Sequence, residues 1–427
     1  MKRASWLTIL GSVAIYCAPL LDALAATTPA QSTPLALTHA RIYPAPDAPP
    51  IDNGTVLIRE GRIAAVDVAA RITIPSDAKV IDCTGLVVVA GFQNSHVHFI
   101  GSKWEGAARQ PRAKLASAFA EMLTRYGFTT AVDTASAVAN TTALRTRVET
   151  GEVRGPRILT AGAPLYPKDG IPFYLNGVLP PSMLALLDQP ETADDAVAVV
   201  QRDISAGADI IKLFTGSLKS PRQVTPMSST VAGAAVTEAH RQGRLVFAHP
   251  SNLEGLRVAA EAGVDVLAHT TSDGRPWSAE VVAELVRRKM ALIPTLKLWR
   301  YEMARAGAAK AADPMVSAAG QQTSEFVKAG GQVLFGTDVG YMTDYDPSEE
   351  YVLMSEAAGL TPMQILASLT TAPAQRFNEA SRRGRVAVGM DADLVVLGAD
   401  PALDVRNFTQ VRRTIRGGRI VFPLAPK

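Results

Sequence analysis

Between residues 90 and 383, eight short apolar strands alternate with amphipathic helical stretches, and a β-rich segment lies on either side of them. These observations predict an α/β protein: a (β/α)8 TIM barrel with a composite β-sandwich domain built from the N- and C-terminal segments. At 427 residues the chain is long enough for one large barrel and an appendage.

Residues 1–25 read as a signal peptide. Lys2 and Arg3 precede an apolar stretch through Leu21, and Ala23-Leu24-Ala25 offers a small-x-small cleavage site. The apolar run is shorter than the roughly 20 residues needed to span a bilayer. The expectation is a periplasmic or secreted protein with no membrane segment after signal cleavage. Cys17 falls inside the signal and follows Tyr16, where lipid attachment would want a small residue. Only Cys83 then remains, so no intrachain disulfide can form, and Cys83 is expected to be a buried small apolar residue.

Residues 26–34, "ATTPAQSTP", form a polar, proline-containing flexible leader. From residue 35 to 89, β-type runs such as "TVLIREGRIAAVD" and "KVIDCTGLVVV" are broken by Asn53-Gly54, Glu60-Gly61 and Pro75-Ser76, which predicts hairpins. The barrel strands follow as "FQNSHVH", "TTAVDTAS", "RILTAGAP", "DIIKLFTG", "LVFAHP", "DVLAHTT", "ALIPTL" and "VLFGTD". Helical stretches such as "TADDAVAVVQRDISAG", "LEGLRVAAEAG" and "SAEVVAELVRRK" separate them, several closed by glycine as a C-terminal cap requires. Residues 384–422 return to β character in "GRVAVGMDADLVVLGADP" and "VRRTIRGGRIVF". Too short for a core of their own, they are expected to pair with the segment 35–89.

The 43 basic and 40 acidic side chains nearly balance, and no lysine- or arginine-rich tract occurs, which argues against a nucleic-acid partner. A small-molecule substrate is the expected partner, and a homo-oligomer the expected assembly.

Four of the six histidines end predicted barrel strands. Residues i and i+2 of a strand share a face, so His96 and His98 can both point into the barrel mouth. Lys212 lies at the end of the fourth strand, His249 of the fifth, His269 of the sixth and Asp338 of the eighth. Such strand ends are where barrels carry their chemistry. Burying these six groups together without a cation would leave donors, acceptors and charges unpaired. Four imidazoles and a carboxylate suit zinc, and they exceed what one tetrahedral zinc needs, so two divalent metal ions are expected. Between two cations Lys212 would lose its proton readily, and addition of carbon dioxide would make it an N6-carboxylated, bridging ligand. His39 and His240 are expected to be structural or exposed.

With its "GFQNSHVH", "GADIIKLF", "AHPSNLEGLRVAAEAGVDVLAH", "FGTD" and "GRVAVGMDADLVVLGADP" motifs, the chain resembles the amidohydrolase superfamily from Leu35 to Phe422, specifically its imidazolonepropionase-like, metal-dependent dipeptidase group. The resemblance implies that His96 and His98 hold a first metal, that carboxylated Lys212 bridges, and that His249 and His269 hold a second. It also implies that Asp338 binds the first metal and is the catalytic general base. A hydroxide shared by the two ions would be the nucleophile, since metal binding lowers the pKa of water from about 15.7 toward about 7. Asp338 would take the water proton and pass it to the leaving nitrogen.

Several positions depart from the family pattern. Ala90 replaces a proline, and Asn94 an aspartate, outside the ligand set. Ser251 stands where family dipeptidases commonly have a second histidine. "TPMSS" and "APLYPKDGIPFY" lack the tyrosine after strand four and the histidine after strand three. These are substrate-recognition positions. Candidate substrate-binding residues are Tyr166, Lys168, Lys219 and Arg222 after strands three and four, with Lys297 and Arg300 after strand seven. A cationic side chain among them could hold a substrate carboxylate.

The expected function is that of an exported metal-dependent amidohydrolase cleaving the C–N amide bond of a small peptide or N-acyl amino acid. The alternative within the enzyme class is a cyclic amide, urea, carbamate or aromatic amide such as an ochratoxin-like compound. The alternative outside it is a non-catalytic barrel scaffold or solute-binding protein.

Overall fold

The computed structural model describes residues 33–424, apart from 177, 178, 180 and 221. The expected signal and all but the last two residues of the leader lie outside the described residues.

Strand β1 (Leu35–Ile42) is the hub of the first sheet. Along one edge it pairs antiparallel with β2 (Ile51–Arg59), which pairs with β3 (Arg62–Val68). Glu60 and Gly61, both at positive φ, make the two-residue turn between β2 and β3. Along its other edge β1 pairs parallel first with β4 (Lys79–Asp82) and then with β5 (Val87–Ala90).

The central segment supplies parallel strands in two arcs. One holds β6 (Phe92–Val97), β7 (Phe128–Asp133) and β8 (Arg157–Thr160). The other begins with β9 (Ile210–Phe214), which is followed by a hairpin of β10 (Gly216–Ser220) and β11 (Gln223–Pro226). It continues through β12 (Leu245–His249), β13 (Val266–Ala268), β14 (Ala291–Ile293) and β15 (Gln332–Val333). Among the described residues the strand-to-strand ladder does not run continuously around both arcs. At one seam Leu165 N–H donates to Lys212 O at 2.9 Å and Phe214 N–H to Leu165 O at 2.9 Å. At the other, Ser95 N–H donates to Phe335 O at 2.7 Å, Asp338 N–H to His96 O at 2.9 Å and His98 N–H to Val339 O at 2.8 Å. The eighth strand is therefore shorter than "VLFGTD" predicts: it spans Gln332–Val333, and the residues that follow, with Asp338 at φ +60°, meet β6 through single bonds.

Helices lie between the strands. Thr192 opens Ala193–Ser205 with a reciprocal capping box, and Asn252 caps Leu253–Ala262, which ends at Gly263 in the left-handed conformation. Helices Val138–Glu149, Leu296–Arg305 and Ser348–Glu356 add to those that the sequence pattern predicts. Among the described residues no helix is long and apolar enough to cross a membrane.

The C-terminal segment adds β16 (Leu394–Leu397), β17 (Val411–Arg416) and β18 (Arg419–Phe422). β16 pairs antiparallel with β5, so the two ends of the chain share one eight-stranded sheet, with β1 branching to three partners. The expected sandwich is thus a single hydrogen-bonded sheet. Its core gathers Leu37, Ile42, Val56, Val88, Leu394, Val396 and Ile415. The alternate residues Val87, Val89, Val395 and Leu397 belong instead to the core that contains barrel residues Phe92 and Phe128. This is the period-two alternation of a strand buried on both faces, and it explains the unbroken apolar run "VVVA". Cys83 is buried in the sheet core, where desolvation pushes its thiol up to about 11.

Candidate metal centre

His96 is the penultimate residue of β6 and His98 lies just past its end, two residues on. Asp338 crosses from the opposite side of the seam. Its Oδ1 lies 2.7 Å from His98 Nε2 and 3.3 Å from His96 Nε2. The imidazoles form a chain: ring centres are 5.1 Å apart for His96 and His98, 4.7 Å for His96 and His269, and 4.8 Å for His249 and His269. His96, His269 and Asp338 each offer a ligand atom, all within 4.8 Å of one another. Lys212 is buried on β9, its Nζ 5.7 Å from the Phe214 ring centre, and that ring stacks on His249 at 4.6 Å. The six side chains singled out from the strand ends therefore converge.

Two glycines permit the approach. A Cβ at Gly336 would lie 2.9 Å from His96 Cβ and 2.4 Å from Ile293 Cγ2. One at Gly340, where φ is +101°, would lie 1.9 Å from the His98 carbonyl oxygen. Asn94 fastens the same junction: its amide donates to Thr337 Oγ1 at 2.7 Å, and its carbonyl accepts from the N–H groups of Thr337 and His96. The non-glycine residues Ser251, His269, Thr295 and Asp338 all have positive φ. Such conformations persist only where the surroundings enforce them.

The electrostatics favour neutral donors around one anion. Burial, reinforced by Lys212, drives His96 down to about 3. Burial likewise holds His249 and His269 well below the ordinary imidazole range. Desolvation lowers Lys212 to about 7, so its neutral amine is accessible at physiological pH. Burial opposes the charge on Asp338, but His96 and His98 together hold its carboxyl well below the usual range. Among the described residues His96 Nδ1 is buried with no hydrogen-bond partner. Three uncharged imidazoles, a deprotonatable amine, an ionised carboxylate and an orphaned ring nitrogen make a donor set that a divalent cation fits.

The candidate recognition residues divide. Tyr166 is buried, and its ring packs on Phe214 at 4.6 Å, which places it behind His249. Lys168 is exposed and pairs with Glu191 at 2.6 Å. Lys219 and Arg222 are exposed on the β10–β11 hairpin. Lys297 is buried, its Nζ 2.8 Å from Asp344 Oδ2 and 2.7 Å from the Asp346 carbonyl. Arg300 pairs with Glu349 at 2.5 Å and Asp313 at 2.9 Å. The structure does not bring Lys168, Lys297 or Arg300 to the centre as free charges. His39 bonds Asn53 at 2.9 Å and His240 bonds Asp265 at 2.8 Å, both on the exterior as expected.

Sequence reading overlooked a group of tyrosines above Asp338. Tyr174 and Tyr341 have ring centres 5.6 Å apart, and Tyr301 lies 6.2 Å from Tyr341. The Tyr341 hydroxyl donates to Glu302 Oε1 at 2.8 Å. Burial raises Tyr174 and Tyr341 well above the ordinary phenol range, and the charge of Asp338 adds to both shifts. The available signal was their position: each follows a barrel strand, and Tyr341 is three residues beyond Asp338.

The model of the amidohydrolase family matches residues 87–421. Ochratoxinase of Aspergillus niger is 25% identical over 370 residues, covering 78% of this chain and 75% of its own. Among solved structures, a Bifidobacterium longum protein assigned as a prolidase superposes with a TM-score of 0.77 at 26% identity, over 92% of this chain and 96% of that one. The A. niger ochratoxinase structure superposes with a TM-score of 0.74 at 20% identity, over 91% and 95%, which speaks to the fold. These matches imply a TIM barrel with an additional domain, the arrangement into which the two arcs and the eight-stranded sheet fall.

Proposed function

Because the chain belongs to the amidohydrolase family, and so is a hydrolase acting on C–N bonds, we propose that it cleaves the amide bond of a small peptide or N-acyl amino acid at the His96–Asp338 centre. The observation that carries this reading is the convergence of Asp338 on His98 at 2.7 Å and His96 at 3.3 Å, with His269 and His249 following in line. In this reading His96, His98 and Asp338 would hold one divalent ion, His249 and His269 would hold a second, and Lys212, carboxylated on its amine, would serve as a further ligand. Such a pair, zinc being the expected metal, supplies an acidic water as nucleophile and an electrophile for the scissile carbonyl.

The chain's own residues do the rest. Asp338, ionised across the neutral range, accepts the proton of the attacking water and returns it to the leaving nitrogen. Burial keeps His96, His249 and His269 uncharged, as a cation's ligands must be. No serine or cysteine nucleophile is invoked; Cys83 lies in the sheet core.

A second reading, hydrolysis of an aromatic or cyclic amide, carbamate or urea, draws support from Tyr174, Tyr301 and Tyr341. These rings offer an aryl group edge and face contacts, whereas Lys297 and Arg300 are already committed to carboxylates of the chain itself. A substrate panel of dipeptides, N-acyl amino acids, anilides, carbamates and ureas, run beside metal analysis of the purified protein, tests both. Turnover confined to aryl amides, carbamates or ureas would move the assignment to the second reading. Absence of bound zinc, manganese or iron, with stability unchanged on chelation, would favour a scaffold. The proposed export rests on residues 1–25, and N-terminal sequencing of the mature protein checks it.

A further inference from the structure

We propose that Thr295 is a positioning residue for the centre, its hydroxyl fixing His269 in the tautomer that leaves Nε2 free to bind a cation. This rests on the reading of His269 as a ligand. His269 Nδ1 lies 2.5 Å from Thr295 Oγ1, and Thr295 Oγ1 donates to the Pro294 carbonyl at 2.8 Å. A hydroxyl has one hydrogen and a carbonyl can only accept, so Thr295 meets the imidazole as an acceptor. Nδ1 must then carry the ring hydrogen, and the lone pair resides on Nε2. Ligating histidines are commonly oriented through their second nitrogen in this way. Both residues are buried, Thr295 at 1% exposure and His269 at 3%, so water does not compete for the bond.

The local helix shows that this hydroxyl has been diverted. Thr295 is the N-cap of Leu296–Arg305, where a threonine ordinarily accepts from an amide of the first turn, yet it makes no side-chain cap bond. Glu350 does that work from another helix, accepting from Leu296 N–H at 2.9 Å and Lys297 N–H at 2.8 Å. Thr295 also sits at φ 45° and ψ 56°, a left-handed conformation that β-branched residues rarely adopt. A cap supplied from elsewhere and a disfavoured backbone at one buried residue are explained together if its hydroxyl is held for His269.

The test compares Thr295→Ala, Thr295→Ser and His269→Ala in the metal-loaded full chain, reading metal retained against a competing chelator by elemental analysis. Thr295→Ala is expected to weaken retention by about 10- to 100-fold, and Thr295→Ser, which restores the hydroxyl, to stay within a few-fold of wild type. The metal-stripped Thr295→Ala protein is expected to lose some thermal stability, because the buried Nδ1–H loses its acceptor, so the readout that a purely structural role would not move is the His269 tautomer. Unchanged retention in Thr295→Ala alongside a loss in His269→Ala overturns the inference. Unchanged retention in His269→Ala overturns the ligand reading instead. Nitrogen-15 NMR of metal-stripped wild type gives an independent decision even if Thr295→Ala does not fold: His269 carrying its hydrogen on Nε2 would refute the assignment.

Discussion

Glu350→Gln separates the effect of a buried charge from that of the bonds it makes. Glu350 is 1% exposed, and its two oxygens accept from the first two amides of the helix Leu296–Arg305. Burial raises its carboxyl from 4.5 to about 7, with the two amide bonds opposing the shift. Below 4.5 the group is neutral in both folded and unfolded chains, so wild type keeps its full stability there. As pH rises toward 7 the unfolded chain releases its proton first, and stability falls by about 1.4 kcal/mol per pH unit. Over an interval of about 2.5 units the loss comes to about 3 kcal/mol. Glutamine matches the shape but has one acceptor for two amides, so an unmade buried bond should remove about 1–3 kcal/mol at every pH. Glu350→Gln is therefore expected to be less stable than wild type at pH near 4.5 and to recover about 3 kcal/mol relative to it by pH near 7.5. Urea denaturation of the metal-stripped proteins at several pH values measures this. A stability difference that stays constant across the range would refute the buried-carboxylate account.

Asp338→Asn keeps the shape but loses the proton acceptor, and kcat should fall by about 10²- to 10⁴-fold, measured on whichever amide the panel identifies. Gly340→Ala places a methyl 1.9 Å from the His98 carbonyl oxygen, and elemental analysis should find markedly less bound metal in a variant whose circular dichroism still shows a fold. Lys212→Arg removes the buried amine beside the histidines; arginine stays protonated, so bound metal should drop to one ion or none per chain. Chelation should abolish activity and lower the thermal midpoint, with zinc or another divalent ion restoring both, because a ligand of the folded state stabilises it by mass action.

The ligand set was legible because a strand's period of two and the placement of polar residues at apolar strand ends are local signals. His96, His98, Lys212, His249, His269 and Asp338 each announce themselves within a few residues of chain. The fate of Lys297 and Arg300 was not legible, since their carboxylate partners Asp344 and Glu349 lie 47 and 49 residues away and only folding brings them together. The shortened eighth strand was hidden for a related reason: "VLFGTD" has a strand's composition, but Gly336 and Asp338 take their geometry from His96 and His98 across the seam. Thr295 was invisible for a third. Its sequence position reads as an ordinary helix cap, and the diversion of its hydroxyl depends on Glu350, 55 residues later.

The two-faced strands at the chain's ends also set an order of events. Val395 and Leu397, near the close of the polypeptide, complete the wall against which Phe92 and Phe128 rest. A ribosome that has released only the first 380 or so residues has therefore made every ligand of the centre but not the strand that seals their scaffold, and β5 still shows a bare edge. The scaffold of the pocket is therefore expected to stay incomplete until residues 394–397 are present. Deletion of residues 394–422 should consequently injure a site to which none of them contributes a ligand.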